Sequence, residues 1–429
     1  MLSTKQRKIL AFPYTDYDAL ICDGAIRSGK TMCMITAFID DSMRRFDRQK
    51  FAICGKTVSS VIENVVKPYM ALDYARNRYQ MHFSRAEKLL TIKDGRHENV
   101  FEVFGGKDES SYTLIQGRTL AGLLIDEVAL QPRSFVEQAM GRCSVEGSKM
   151  WFNCNPDSPQ HWFYKEWICD LARHNAYHIH FQLEDNPSLS EKKIAQYKSN
   201  YSGVFYDRYI KGDWVVADGL VYPQFKQAYT GSSDVLQQDG ELCWVSIDYG
   251  ITNPFAALMW VIRNGVACCV DEYVYSCHED EFQRRKTDDE LYQELDAWIK
   301  KRTHNKPQKV MSIIVDPSAT SFKETIARKG AYNYRDATNS VVEGIQLVQT
   351  AIKNDQLKVN STCKHLKQEA GLYSWDTKAS ERVGVDKVIK ENDHAMDSCR
   401  YFIATVGVEY LSSLQDMYAG ENDEEKEDW

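Results

Sequence analysis

The sequence predicts an α/β protein of two domains, and three observations carry that prediction. An apolar run, Ala19-Leu20-Ile21-Cys22, leads into a glycine-bearing loop and then an amphipathic stretch from Thr31 to Asp40, a strand–loop–helix order. A second aliphatic run, Leu123-Leu124-Ile125, ends in Asp126-Glu127, as a buried parallel strand does when it delivers acids to the carboxyl edge of its sheet. Beyond Asp234 the pattern changes to strands joined by a tight Asn264-Gly265 turn, followed by a helix and another strand ending in an acid. At 429 residues the chain is too long for one ordinary core.

Bulk composition narrows the class. Apolar content of 43% and charged content of 27% are those of a soluble globular protein. No apolar run is long enough to span a bilayer and Met1 to Lys8 is not a signal peptide, so a location in the cytoplasm is expected and no membrane partner. Twelve cysteines include no C-x₂-C pair, and Cys22, Cys33, Cys54, Cys268 and Cys269 sit in apolar runs, which reads as reduced, buried thiols. A net charge of −8 does not advertise nucleic acid, yet a local basic groove would suffice to bind it.

Gly24-Ala25-Ile26-Arg27-Ser28-Gly29-Lys30-Thr31 satisfies G-x-x-x-x-G-K-[ST] at every fixed position. Backbone N–H groups and a helix N-terminus then converge on one point, an anion site formed by Gly24, Arg27, Ser28 and Gly29. Lys30 would reach the β and γ phosphates of ATP, and the Thr31 hydroxyl would hold Mg²⁺. Ahead of the first strand, Thr4 to Leu10 reads as a short helix. Its Gln6 either reads an adenine edge or faces solvent, and composition alone favours solvent.

Phe51 to Cys54 is a second strand, followed by a helix from Val58 to Val66 that should stop before Pro68. His82 to Val103 reads as strands around Lys93-Asp94-Gly95, a surface hairpin. Asp126 would hold Mg²⁺, and Glu127 would orient or deprotonate the attacking water. Lys149 to Phe152 forms a third strand ending in Asn153-Cys154-Asn155-Pro156, either a sensor of the γ-phosphate or a plain Asn-Pro turn. Arg27, Arg118 and Arg142 could stabilise transition-state charge, within the chain or from a neighbouring subunit. His174, His178 and His180 are taken as residues of an alternating strand around Ala176 to Phe181, not as metal ligands.

Tyr201 to Val216, with Gly212-Asp213-Trp214, closes the first half, and Asp218-Gly219 with Thr230 to Asp234 marks a linker. The expected division is 1–215, a linker at 216–236, 237–412, and an acidic tail at 413–429 too charged to build a core and hence disordered. Leu242 to Gly250 carries Asp248, and strands follow at Phe255 to Ile262 and Val266 to Val270. A helix from Asp289 to Lys301 precedes Val310 to Pro317, which carries Asp316. This order is that of the ribonuclease-H-like fold, whose acids lie on the first strand, the fourth strand and a late helix. Asp248, Asp316 and the run Asn392-Asp393-His394-Ala395-Met396-Asp397 fill those places. On a helix His394 and Asp393 both neighbour Asp397. Clustered carboxylates bind hard divalent ions, here two of Mg²⁺ or Mn²⁺, which cut phosphodiesters. Glu324 is expected to face solvent.

A P-loop NTPase domain (mainly parallel sheet flanked by helices) followed by a ribonuclease-H-like mixed α/β nuclease domain resembles the large terminase subunit of tailed bacteriophages and prophages. Gly24–Thr31, Leu123–Glu127, Asn153–Pro156, Asp185-Asn186-Pro187, Gly212-Asp213-Trp214 and the D-H-x-x-D helix carry the likeness across nearly the whole chain. The resemblance implies a homo-oligomeric ring on the portal protein of a procapsid, with a monomer in solution as the alternative. It would pump double-stranded DNA inward and cut concatemers, with a small terminase subunit selecting the DNA in the host cytoplasm. Arg27 and Arg118 inherit the finger role and Glu127 that of the catalytic glutamate. Asp248, Asp316 and Asp397 become nuclease metal ligands, with His394 beside them. The rival readings are an ATP-driven DNA-binding switch with a degenerate, non-cutting second half, and a helicase-like ATPase. No helicase-like motif lies between Asn155 and Gly212 to support the latter.

Overall fold

The computed structural model describes residues 2–231, 241–250, 254–276, 285–415 and 417. Eight strands build the first sheet: β1 (Ala19–Gly24), β2 (Lys50–Gly55), β3 (Gln80–Ser84), β4 (Leu89–Lys93), β5 (Glu98–Gly105), β6 (Gly122–Ile125), β7 (Lys149–Asn153) and β8 (Ala176–Phe181). Their order is β3-β4-β5-β2-β6-β7-β1-β8, parallel from β5 to β8, with β3 and β4 antiparallel at one edge. The central strands are aliphatic throughout because helices cover both faces. Leu20 and Cys22 face a core shared with the helix Lys30–Arg45, while Ala19 and Ile21 face one shared with the helix Arg133–Met140. The strands expected around Lys93-Asp94-Gly95 are present, but they are no mere surface hairpin: β5 pairs parallel with β2, and Leu90, Ile92, Phe101 and Val103 are buried because the main sheet continues through them.

The second sheet contains β9 (Cys243–Asp248), β10 (Phe255–Arg263), β11 (Val266–Tyr275), β12 (Val310–Val315), β13 (Tyr334–Asp336) and β14 (Leu357–Val359), in the order β13-β12-β9-β10-β11-β14. β9, β10 and β11 are antiparallel, and β12 returns parallel to β9 after the helix Asp288–Arg302. One face packs on that helix and on Thr320–Lys329, the other on Val341–Lys353 and His394–Phe402. Two α/β units in this order bear out the predicted fold class.

Three other local readings are corrected. The helix after β2 does not end before Pro68: a π-helical turn at Ile62–Val66 widens the ladder, Lys67 donating to the Ile62 carbonyl, and the chain continues as Lys67–Ala71. The wider turn carries the chain past a residue with no N–H to give. His178 and His180 lie in β8, but His174 lies in the short turn Leu171–His174 and stacks on Trp167 with ring centres 3.8 Å apart. The stretch 216–236 is no loose linker over its described part. Val221, Tyr222, Phe225 and Ala228 are buried in the second half's core, and Val221 N–H donates to the Tyr373 carbonyl.

Cys22, Cys33, Cys54, Cys268 and Cys269 are buried free thiols, as expected. The acidic tail lies outside the described residues from 418 on, whereas Leu414 is fully buried. Among the described residues no helix is long and apolar enough to cross a membrane.

Candidate active sites

At the carboxyl edge of the first sheet, Gly24–Thr31 wraps the start of the 16-residue helix Lys30–Arg45, whose N-terminus no side chain caps. Its first-turn N–H groups are left for an anion. Gly24 is dictated by packing: at φ +121°, a Cβ there would lie 1.9 Å from the Phe181 carbonyl oxygen. Lys30 folds back into the loop, its Nζ 3.1 Å from the Gly24 carbonyl, 2.6 Å from that of Ala25, and 3.3 Å from both Ser28 Oγ and Asn155 Oδ1. Burial pushes this ammonium below its usual range, with the charges of Asp23 and Asp126 opposing.

Asn153 Nδ2 donates to both Thr31 Oγ1 (2.8 Å) and Asp126 Oδ1, joining the two groups expected to hold Mg²⁺. Burial raises the Asp126 carboxyl, against the Asn153 hydrogen bond and the Lys30 charge. A hard-oxygen pair beside a buried ammonium fits Mg²⁺ carrying phosphate. Glu127 adjoins Asp126 in a left-handed backbone conformation (φ 53°) that L-residues rarely adopt.

Much of the bracing was not legible. Asp23, 1% exposed, lies directly beneath the loop; its Oδ1 is 2.7 Å from His178 Nε2 and 3.0 Å from His180 Nδ1, and its Oδ2 accepts from Trp214 Nε1 at 2.7 Å. Against burial, the two imidazoles hold this carboxyl well below its usual range, and Asp23 in turn raises His180. Gly212, at φ +84°, lets the backbone pass so close that a Cβ would lie 2.9 Å from the Ala25 nitrogen. Asn186 Nδ2 donates to the Arg27 carbonyl (2.8 Å), so Asp185-Asn186-Pro187 and Gly212-Asp213-Trp214 both brace the loop. Gln6 does not face solvent: it is fully buried, caps its own helix through Ser3, and its Nε2 reaches the Ser28 carbonyl (3.4 Å).

Of the arginines, Arg27 is in the loop, at φ 54°. Arg118 and Arg142 precede β6 and β7, so they lie at the amino edge, the far side of the sheet from Lys30. Arg118 pairs there with Glu102 at 3.2 Å, and the Arg142 carbonyl accepts from Leu120. Within the chain, the structure thus places both away from Lys30, and Arg27 is the one of the three that it brings to the loop.

In the second half, the strand ends of β9 and β12 bring Asp248 and Asp316 together under the helix His394–Phe402. Ser398 anchors that helix by donating to the Ser246 carbonyl (2.8 Å), and Phe402 stacks on Trp260 with ring centres 4.4 Å apart. Tyr401 OH lies 2.8 Å from Asp316 Oδ2 and 3.4 Å from Asp248 Oδ1, so the two acids share one hydroxyl. His394 Nδ1 lies 2.8 Å from Asp248 Oδ2. Burial raises the Asp248 carboxyl, His394 opposes, and the charges of Asp397 and Asp316 add to the rise. Asp316 goes the other way: against burial, the Ser318 N–H and Tyr401 hydroxyl hold it low. Glu324 is exposed, as expected.

The acids on the helix are engaged by cations. Lys390 Nζ lies 3.1 Å from Asp393 and 2.9 Å from Asp397, and Arg400 Nη2 lies 3.0 Å from Asp397. Asp248, Asp393, His394, Asp397 and Lys390 line a cleft of about 540 Å³. Mutual repulsion among oxygen donors is the condition a hard divalent ion relieves, so the donor set fits such ions. Yet among the described residues no three of His, Cys, Asp and Glu are gathered as a ligand cage. The Lys390 and Arg400 cations already balance Asp397. Arg400 and Tyr401 lie one helical turn beyond Asp397, a spacing that could have disclosed them. Lys390 lies before the helix, and Glu369, which accepts from the N–H groups of Ala395 (2.7 Å) and Met396 (3.0 Å), left no local signal.

Comparison with known proteins agrees with this architecture. Residues 21–228 match the family model described as terminase large subunit, T4likevirus-type, N-terminal, and residues 245–405 match the terminase RNaseH-like domain. The chain is similar to the large terminase of a thermophilic bacteriophage, 41% identical over 95% of this chain and 99% of that one, with a TM-score of 0.88. The same thermophilic-phage protein in complex with ATP-gamma-S is 40% identical, with a TM-score of 0.85, over 95% of this chain and 99% of that one. The terminase large subunit of Escherichia phage T5 is 23% identical over 304 residues, 68% of this chain and 66% of that protein's length. With a P-loop edge in one half and an acid-lined ribonuclease-H-like edge in the other, this chain belongs to the phage large terminase family.

Proposed function

We propose that this chain is both motor and nuclease of a DNA-packaging machine, residues 1–215 hydrolysing ATP to drive double-stranded DNA into a capsid and residues 237–412 cutting concatemeric DNA. The observation that carries the reading is one chain holding two separate acidic strand edges, one beside Lys30 and Thr31, the other bearing Asp248 and Asp316 under the helix of Asp397.

At the first edge Lys30 would exchange its carbonyl partners for the β and γ phosphates of ATP. Thr31 and Asp126 would hold Mg²⁺, and Glu127 would orient the attacking water. Asn155, which touches Lys30, would sense the γ-phosphate. Arg27 serves as the finger within the chain, and Arg118 only toward a neighbour's phosphates in a ring. At the second edge, Asp248, Asp316 and Asp397 would hold two divalent ions, flanked by Asp393 and His394, once Lys390 withdraws. When bound, such ions activate water and stabilise a leaving oxygen. A small terminase subunit, a portal protein and a homo-oligomeric ring complete the proposed assembly in the host cytoplasm.

A second reading, an ATP-driven switch that grips DNA without cutting, is favoured by one observation, the cations already seated on Asp397. Plasmid cleavage with Mg²⁺ or Mn²⁺, with an EDTA control, separates the two. The expected outcome is cutting that Asp316→Asn abolishes while ATPase survives, and ATPase that Lys30→Ala abolishes, each by about a hundredfold or more. Wild type that cuts under neither metal while hydrolysing ATP would overturn the nuclease reading.

A further inference from the structure

A buried arginine joins the two halves. Arg208, 2% exposed, belongs to the turn Asp207–Lys211 and holds one acid from each half. Its Nη1 lies 2.9 Å from Asp157, and its two Nη groups grip Asp386, with Nη2 3.1 Å from Oδ1. The Asp386 carboxylate is buried with it.

Each end of this clasp leads to a site. Asp157 is two residues beyond Asn155, whose Oδ1 touches Lys30, and the carbonyl of Tyr209, next to Arg208, accepts the Ile26 N–H of the loop at 2.9 Å. On the far side, Gly384 lies so close to the first half that a Cβ there would be 3.2 Å from the Gln160 carbonyl oxygen. Asp386 is four residues before Lys390, which holds Asp393 and Asp397. The intervening chain is tied to a neighbouring segment by the Trp375–Val388 bridge and by Ile389 N–H to the Ser374 carbonyl (3.0 Å).

We propose that Arg208 is a positioning residue for DNA cutting, making segment 384–397 answer to the nucleotide state at the P-loop. Displacement of the Asn155–Asp157 turn when Lys30 takes up phosphate draws on Arg208, hence on Asp386 and on the Lys390 ammonium over the nuclease acids. The three buried charges move together because separating one leaves the others uncompensated. Burial pushes Asp157 up to about 6, with Arg208 opposing and Asp386 adding. The inference rests on the proposed reading of both sites.

Hydrogen–deuterium exchange on the full chain, with and without ATP-gamma-S and Mg²⁺, tests it. In wild type the nucleotide should change exchange across 384–397 by about fivefold or more, alongside a response at 24–36. In Asp386→Asn the response at 24–36 should persist and that at 384–397 should vanish. Asp157→Asn, at the less buried end, reads the same coupling should Asp386→Asn fail to show a wild-type melting transition. A wild type that responds at 24–36 and not at 384–397, or variants that keep the full response, would overturn the proposal. Absence of any response at 24–36 would sink the nucleotide-site reading and this inference with it. Plasmid cutting measured in parallel keeps the nuclease reading separate: a wild type that responds at both segments and never cuts would overturn the role of Arg208 in cutting, and one that cuts without a response at 384–397 would overturn the relay alone.

Discussion

Glu369 offers a test with a sign worked from the structure. Its carboxylate accepts the Ala395 and Met396 N–H groups at the start of the helix that carries His394 and Asp397. Burial nevertheless raises it from 4.5 to about 7, those N–H groups opposing. An acid raised in the folded state contributes stability that is complete below pH 4.5 and lost as pH rises through about 7. At about 1.36 kcal/mol per pH unit, the raised carboxyl costs about 3 kcal/mol at pH 8, where both states are ionised, and about 1 kcal/mol at pH 5, where only the unfolded chain ionises. Gln keeps an oxygen for both N–H groups and cannot ionise. Glu369→Gln should therefore melt above wild type by about 6–12 °C at pH 8 if the second half unfolds as a unit, and by far less at pH 5. The assay is thermal unfolding in EDTA at both values. An equal shift at the two pH values, or a variant less stable at pH 8, would refute the reasoning.

Other outcomes follow from single contacts. Trp214→Phe removes the indole donor from buried Asp23 and should cost about 1.5–3 kcal/mol in denaturant unfolding of the first half, with weaker ATP binding because Asp23 underlies the loop. Lys390→Ala should lower the Mn²⁺ concentration for half-maximal binding and cutting by about two- to fivefold, the worth of a partly exposed ion pair. Unchanged Mn²⁺ binding with lost cutting would instead put Lys390 on the DNA phosphate.

What the sequence determined was local. Gly24, Gly29, Lys30 and Thr31 lie within eight residues, and their conformational demands are written in the residues themselves: a glycine where the backbone turns left-handed, aliphatics before, an amphipathic helix after. Asp126 and Glu127 could be read because an aliphatic strand ends on them. The acids Asp248, Asp316 and Asp397 could be read because the order of strands gives each its place on an edge. Tertiary structure alone decided what surrounds them. Trp214 reaches Asp23 across 191 positions, Arg208 reaches Asp386 across 178, and Glu369 caps a helix 26 residues on. Such partners are chosen by which segments the sheets bring side by side, and one polar residue among many carries no mark of that choice. The same reason explains Gln6, taken for solvent yet buried under Ser28, and Arg118, whose choice between its own chain's phosphates and a neighbour's depends on a place in the sheet that the sequence does not mark. Chemistry that depends on neighbours in the chain was visible early; chemistry that depends on neighbours in space waited for the fold.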